Sequence, residues 1–429
     1  MSRRQPEERA GAHAAKQHQQ RHLYLLFDDW PEGYSVRQLD LSSDDAASDD
    51  AHGWQMAATA CAGDHCLPPA IFRFKAQRGM PAHLAAAFDS KILATQPVSP
   101  GAAAPLLLES HVPVFDVLQR SCLFGPRLVP DRADPIYISA GGRFFALAAG
   151  TFDILCPPPS PPPPPQAKAW SWFQLQAPPF ERDRVTSHAV HPDGTTIFVS
   201  IVERAAAAAA TFAFDTAERA LRGGGGWWRL HGQWALPFGG RAHFDAELDA
   251  WVGLSRDPDS VGHVCCCDAV SSNPDEAGSE GRCPARKLSK EKLFSEDPTE
   301  RHLGATLVYM GGRSEYCLVE CVYIEDERHG GTSDGELEDG DECADEDMSD
   351  CDLEEENDGS TGDERDGCKQ QDEEDVPRPR RYLFRLTTFN LKDDKNADLT
   401  TGSSCRVRYY RVPKDSTEVL LSNPVAFWM

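Results

Sequence analysis

The chain has 429 residues, enough to bury one large hydrophobic core or two ordinary ones. Its formal charge is −25, but residues 334 to 375 hold 22 Asp and Glu against Arg365 and Lys369 alone, so the acidity belongs to one segment. Basic residues are scattered, and "RPRR" at 378 to 381 directly follows the acidic run, so no nucleic-acid partner is expected.

Residues 1 to 21, "MSRRQPEERAGAHAAKQHQQR", are polar and read as a disordered N-terminal tail. No apolar h-region follows the start, and no run of about 18 apolar residues occurs, so neither secretion nor a membrane span is expected. The 14 cysteines are therefore read as free thiols in a reducing, intracellular compartment, cytoplasm or nucleus.

From residue 22 onward the pattern is that of strands. "HLYLLFDDW", "SVRQLDL" and "AIFRF" supply three, with no recognisable first strand before them. A repeated hairpin follows: "AAAFDSKILAT" at 85, "IYISAGGRFFAL" at 136, "SHAVHPDGTTIFVS" at 187, "RAHFDAELDAWVGL" at 241 and "ATLVYMGGRSEYCLVE" at 305. Taking Asp89, Gly141, Asp193, Glu247 and Gly311 as turn markers, the steps are 52, 52, 54 and 64 residues. After each of the first four hairpins comes an apolar stretch read as ending in Asp, at Asp116, Asp153, Asp215 and Asp268. An aromatic element, "WSWFQLQAPPF" or "GWWRLHGQWALPF", closes the middle repeats. Units of about 50 residues with two to four strands each are the signature of propeller blades, of the kelch class in particular. The only helical candidate is the Ala-rich stretch 205 to 210, too short to be stable alone.

The third hairpin places His188, His191 and Asp193 close together, as metal ligands or a catalytic group would be. Strand alternation sends residues three apart to opposite faces, and Pro192-Asp193-Gly194 is turn chemistry, so the reading preferred is a structural hairpin. Cys265, Cys266 and Cys267 are consecutive, Cys61 and Cys66 are loosely spaced, and Cys317 and Cys321 lie on one strand. None has the paired C-x₂₋₄-C spacing of structural zinc, and small buried hydrophobes explain the strand thiols better. No sialidase-type Asp box, Gly-x-Ser-x-Gly elbow, Walker loop or His-Glu-x-x-His motif is present. The sequence thus assigns no catalytic, cofactor-binding or metal-binding residue.

Three segments interrupt the period. "CPPPSPPPPP", 156 to 165, is polyproline II, read as a lengthened surface loop rather than a docking ligand for an SH3-type groove. The runs of Ala and of Gly, 223 to 226, are given no role. Residues 326 to 379 are acidic with almost no apolar side chains, and are expected to be a disordered insertion. "YCLVECVYIE" before it, "RYLFRLTTFNL" after it and "RVRYYRVP" are strands of a sixth unit, with the insertion between its second and third strands. The last apolar segment, 417 to 428, is expected to pair with the first unit and close the ring, which protects the sheet edges.

"LYLLFDDWPEGYSVRQLDL", "HAVHPDGTTIFVS", "TFAFDT", "HFDAELDAWVGL" and "GATLVYMGG" together resemble a large domain-of-unknown-function family of rice and other cereal grasses, kelch- or F-box-associated-like in character. The resemblance implies a fold and no catalytic residues. Only some 20 polar residues precede the first strand, too few for an F-box helical module. The expectation is an all-β, kelch-like propeller of six blades. Residues 22–325 and 380–429 build it, closed by its N- and C-terminal strands. It is expected to act as a monomeric, non-enzymatic scaffold without a cofactor, binding a protein partner, a basic one if the acidic loop takes part. The alternative is an enzyme or carbohydrate-binding module with its site in the central channel.

Overall fold

The computed structural model of the protein describes residues 21–41, 65–95, 111–128, 134–158, 170–203, 208–217, 227–272, 283–325 and 380–429. The chain divides into two compact units, Met1–Tyr323 with Tyr382–Met429, and Ile324–Arg381. Of the second only residues 324–325 and 380–381 are described. The expected N-terminal tail up to residue 20, Cys61, most of the Pro run, the Gly run and the acidic segment 326–379 lie outside the described residues.

The described residues of the larger unit form six four-stranded modules, two of them joined in one sheet. The first comprises β1 (Leu23–Trp30), β2 (Gly33–Leu39) and β3 (Ala70–Lys75), with β26 (Val425–Trp428) on the other side of β1. The second is β4 (Leu84–Ala87), β5 (Lys91–Ala94), β6 (His111–Asp116) and β7 (Ser121–Pro126). The third is β8 (Ile136–Ala140), β9 (Arg143–Ala148), β10 (Thr151–Leu155) and β11 (Phe173–Gln174). The fourth is β12 (Val185–Val190), β13 (Thr196–Val202), β14 (Ala209–Asp215) and β15 (Trp228–Gly232). The fifth is β16 (Gly240–Asp245), β17 (Ala250–Leu254), β18 (Val264–Asp268) and β19 (Arg286–Leu288), joined to the fourth by parallel pairing of β12 with β16. The sixth is β20 (Glu300–Gly311), β21 (Glu315–Glu325), β22 (Arg380–Asn390) and β25 (Arg406–Arg411). A small hairpin, β23 (Lys392–Asp393) with β24 (Leu399–Thr400), lies between β22 and β25 in the chain. The fold is all-β and propeller-like, and no helix of the described residues is long and apolar enough to cross a membrane.

Second strands such as "TIFVSIV" of β13 are apolar along nearly their whole length because a neighbouring module covers each face. Five apolar clusters fill the spaces between modules. Leu93 and Val114 meet Phe144 and Leu155 between the second and third. Phe145 and Phe152 meet Val199 and Phe214 between the third and fourth. Phe198 meets Trp251 and Cys265 between the fourth and fifth, and Val252 meets Tyr316 and Phe389 between the fifth and sixth. The largest cluster joins Phe27 and Phe74 of the first module to Phe115 of the second and Phe384 of the sixth. Each fully buried Phe stabilises the fold by about 1.5–3 kcal/mol relative to exposure.

The Asp residues at strand ends and in the turns after them have a physical reason. Asp193 Oδ1 accepts from the N–H groups of Thr195 and Thr196 at 2.7 and 2.8 Å. Asp116 Oδ1 does the same for Leu118 and Gln119, and Asp245 Oδ1 for Glu247 and Leu248. Each carboxylate replaces a backbone acceptor at the tight turn. Asp153 departs from the expectation: β10 runs on to Leu155, so this Asp sits within a strand.

At the C-terminal end only part of the expected strand is one. Thr417 caps a short helix, α1 (Glu418–Ser422), accepting from Leu420 N with its hydroxyl. Only β26 is extended, antiparallel to β1 with Leu23 opposite Trp428 and Leu26 opposite Val425. Buried Asp28 on β1 ties the turn down, accepting from Thr417 N at 2.9 Å and from Gly79 N at 3.0 Å. Helix thus appears here, while the described end of the Ala run, Ala209 and Ala210, belongs to β14.

Candidate functional site

Innermost strands of all six modules, β26, β4, β8, β12, β16 and β20, line one cavity of about 1300 Å³. Its wall is largely small residues: Ala86, Ala140, Gly240, Ala305 and Thr306. A second cavity of about 760 Å³ shares Ala305 and Thr306 and is bordered by His188. A third, of about 190 Å³, lies between β12 and β16.

His188, Arg241 and His243 border the third cavity together, and Arg241 and His243 also line the first. In the parallel pairing of β12 with β16, His188 lies opposite Arg241 and Ala189 opposite Ala242. Alternation then divides the faces: Ala189 and Ala242 go into the core beside Trp251, while His188, Arg241 and, two residues on, His243 face the cavity. His243 Nε2 lies 3.2 Å from the carbonyl oxygen of Leu307, and its ring tilts against Tyr309. His188 and Arg241 have no hydrogen bond or ion pair among the described residues. Arg241 is accessible to solvent by area yet surrounded by protein, as a side chain standing in a channel is.

The electrostatics follow from this enclosure. Burial, reinforced by the cations Arg241 and Arg182, lowers the His188 pKa to about 3. Burial and Arg241 likewise hold His243 at about 3, against the opposing effect of its bond to Leu307. Burial lowers the Arg241 pKa too, with no carboxylate to counter it. Both imidazoles are neutral at pH 7 and too weakly basic for efficient proton abstraction. The cluster is suited to holding negative charge.

Three further titratable groups of the interior are tied to partners. Glu320 accepts from Ser295 N at 3.0 Å and pairs with His302 at 2.9 Å and Arg385 at 3.2 Å, fixing the loop before β20. Asp245 accepts from Tyr316 Oη and Ser314 Oγ, both at 2.8 Å. Lys91 pairs with Asp116 at 2.9 Å. These are structural ties.

The hairpin at 186–200 forms as expected, with Gly194 at φ +72° and its N–H donating to His191 O. His191 pairs with Asp193 at 2.9 Å and packs edge-on to Trp251. The alternation argument fails for His188 and His191 in one respect: β12 ends at Val190, the chain turns, and both border the smallest cavity. Cys265, Cys266 and Cys267 are buried on β18, and burial raises their thiol pKa values, Cys266 to about 11. Cys317 and Cys321 are buried on β21. Among the described residues no group of three His, Cys, Asp or Glu is placed to hold a metal ion.

Sequence reasoning passed over Arg241 and His243. The available signal was the alternation Arg-Ala-His-Phe at the head of a repeat, with His188 lying 53 positions earlier, one period away.

No curated protein matches the sequence. Among solved structures, the periplasmic gluconolactonase PpgL of Pseudomonas aeruginosa is similar at 12% identity and a TM-score of 0.38, covering 92% of this chain and 99% of that one. Residues 20–409 match the family described as "Protein of unknown function (DUF1668)", and the chain belongs to that family.

Proposed function

We propose that the protein is a non-enzymatic β-propeller scaffold that mediates protein–protein interaction. The observation that carries this reading is the outer edge of the modules. The outermost strands β7, β15, β19 and β25 each hold a large apolar side chain in solvent: Phe124, Leu230, Leu288 and Val407, between 38% and 61% exposed. Edge strands also offer unpaired N–H and C=O groups, and proteins ordinarily blunt such edges with charge or Pro. Repetition of the feature on four modules supports a surface that other proteins cover.

The low basicity of His188 and His243, with no carboxylate hydrogen-bonded to either among the described residues, supports binding over catalysis. The period of about 52 residues supports reading the modules as six kelch-like blades closed by β26, and the resemblance to a cereal-grass family supports a plant source. In the same reading the chain is monomeric and intracellular, and the acidic segment attracts a basic partner. A second reading, an enzyme or carbohydrate-binding module acting in the central cavity, is favoured by one observation: His188, Arg241 and His243 converge on the small cavity beside it, and two of them also line the central one.

Affinity purification from native tissue with mass spectrometry tests the choice. The variant Phe124→Glu/Leu230→Glu/Leu288→Glu/Val407→Glu is expected to lose the partners that the unaltered chain retains. Arg241→Gln is expected to keep them. Partners lost with Arg241→Gln and kept by the edge variant would overturn the scaffold reading in favour of the cavity.

A further inference from the structure

We propose that His188, Arg241 and His243 form a binding site for a small molecule carrying a carboxylate or phosphate group, with that group seated in the small cavity all three border, beside the central one. The site is independent of the outer edges and of whatever protein covers them.

The argument starts from what Arg241 lacks. A guanidinium presents five N–H donors and stays charged in proteins. Elsewhere in this chain arginines of the interior are engaged: Arg385 with Glu320 and Leu293 O, Arg143 with Thr216 O, Arg37 with Asp29 and Pro68 O. Arg241 has neither acceptor nor counter-charge among the described residues, and its side chain is open to the solvent of the cavities it lines. A guanidinium with no protein partner keeps all its donors for a ligand. Here they are presented at a cavity wall, where a ligand can supply the missing partner.

The neighbours match the same ligand. Residue 188 sits beside 241 across the parallel ladder, and 243 is two positions along, so three nitrogen-bearing side chains share one face of two adjacent strands. Neutral His188, whose ring has no other partner, can present an N–H from either nitrogen. The fixed fork of Arg241 can donate two parallel hydrogen bonds to two oxygens of one carboxylate or phosphate. His243 is anchored by donating from Nε2 to Leu307 O, which fixes its ring; Nδ1 then carries a lone pair and donates to the anion only once it is protonated. Bound negative charge would raise the basicity of both imidazoles and draw a proton onto them, adding donors as the site fills.

Size narrows the class. The cavity touching all three side chains is about 190 Å³, below the roughly 300–1,000 Å³ of pockets for drug-sized ligands. It admits an anionic head group, while the adjoining cavity of about 1300 Å³ has room for the remainder of the molecule. Small wall residues such as Ala140, Gly240 and Ala305 leave that space open.

The test uses the full chain, titrated calorimetrically with inorganic phosphate and separately with malonate at constant ionic strength, with sodium chloride as the reference salt. Saturable binding of at least one probe is expected, and which one separates phosphate from carboxylate chemistry. Arg241→Gln should weaken it at least tenfold, His188→Gln should weaken it less, and the exposed-site control Lys75→Gln should leave it unchanged. Arg241→Lys, which keeps the charge but loses the fork, should fall between, and it carries the test should Arg241→Gln not fold. Absence of saturable binding for both probes in the unaltered chain would overturn the proposal. So would equal affinity in the unaltered chain and both Arg241 variants, the mark of general salt screening.

Discussion

Gly304 on β20 is a position where the C-terminal segment packs directly on the sixth module. A Cβ built there would lie 2.5 Å from the carbonyl carbon and 2.9 Å from the Cα of Ser422, and closer still to the Ser422 oxygen. These are backbone atoms at the end of α1, so no rotamer change relieves them. Ordinary contact would require α1 and the start of β26 to move by about 1 Å, an overpacking that costs about 1–3 kcal/mol. Gly304 has no left-handed φ, so Ala also gains about 0.4–1 kcal/mol by restricting the unfolded chain. The net expectation for Gly304→Ala is a loss of about 1.3 kcal/mol, within a range of about 0–2.6, read from guanidinium unfolding, the difference of those two terms. Gly194→Ala is the control, since its Cβ meets nothing within 4 Å although its φ is +72°. Left-handed strain there costs about 1 kcal/mol and stays local to the turn. Amide exchange should therefore speed up at β26 and β1 in Gly304→Ala only. Unchanged stability together with unchanged exchange at β26 would refute the packing argument.

Further expectations concern the core, the turn, pH and the acidic segment. Trp251 is fully buried between the fourth and fifth modules and donates its Nε1–H to Val190 O at 2.9 Å, so Trp251→Ala should cost about 3–5 kcal/mol in denaturant melts. Gly194→Val should cost about 1–3 kcal/mol and His191→Ala clearly less; equal losses, with metal in the purified protein, would make this turn a metal site. His188 and His243 have folded pKa values of about 3, below the unfolded value near 6.5, so the unfolded state binds more protons between those limits. Stability is then complete above pH 6.5 and falls as pH drops. The loss by pH 5 is about 2 kcal/mol for each imidazole taken alone, and His188→Gln/His243→Gln should flatten the fall. Replacing residues 326–379 by a short Gly-Ser linker should change stability by less than about 0.5 kcal/mol, and any partner lost with the segment should also be lost at high salt.

The modules were legible because their signals are local. Alternation, strand-ending Asp and Gly-containing turns recur along "SHAVHPDGTTIFVS" and "RAHFDAELDAWVGL", and each determines a hairpin without reference to the rest of the chain. The same local view led astray at the C-terminal end. "TEVLLS" is apolar enough for a strand, but Thr417 caps it and Asp28, 389 residues away in sequence, holds the cap, so a helix forms. Arg241 was illegible for a related reason. Its meaning depends on lying opposite His188 across a parallel ladder between two modules and on having no carboxylate opposite it. Neither fact is visible in "RAHFD" alone, where Arg reads as an ordinary polar residue at the start of a strand.

Cross-linking mass spectrometry of the full chain in its native extract bears most directly on the scaffold reading. Cross-links to partner proteins are predicted to concentrate on residues flanking β7, β15, β19 and β25, and to disappear from those positions in the edge variant. Partner cross-links confined to the cavity mouths, around Met80 to His83 or Gly141 to Arg143, with the outer strands unmodified, would contradict it.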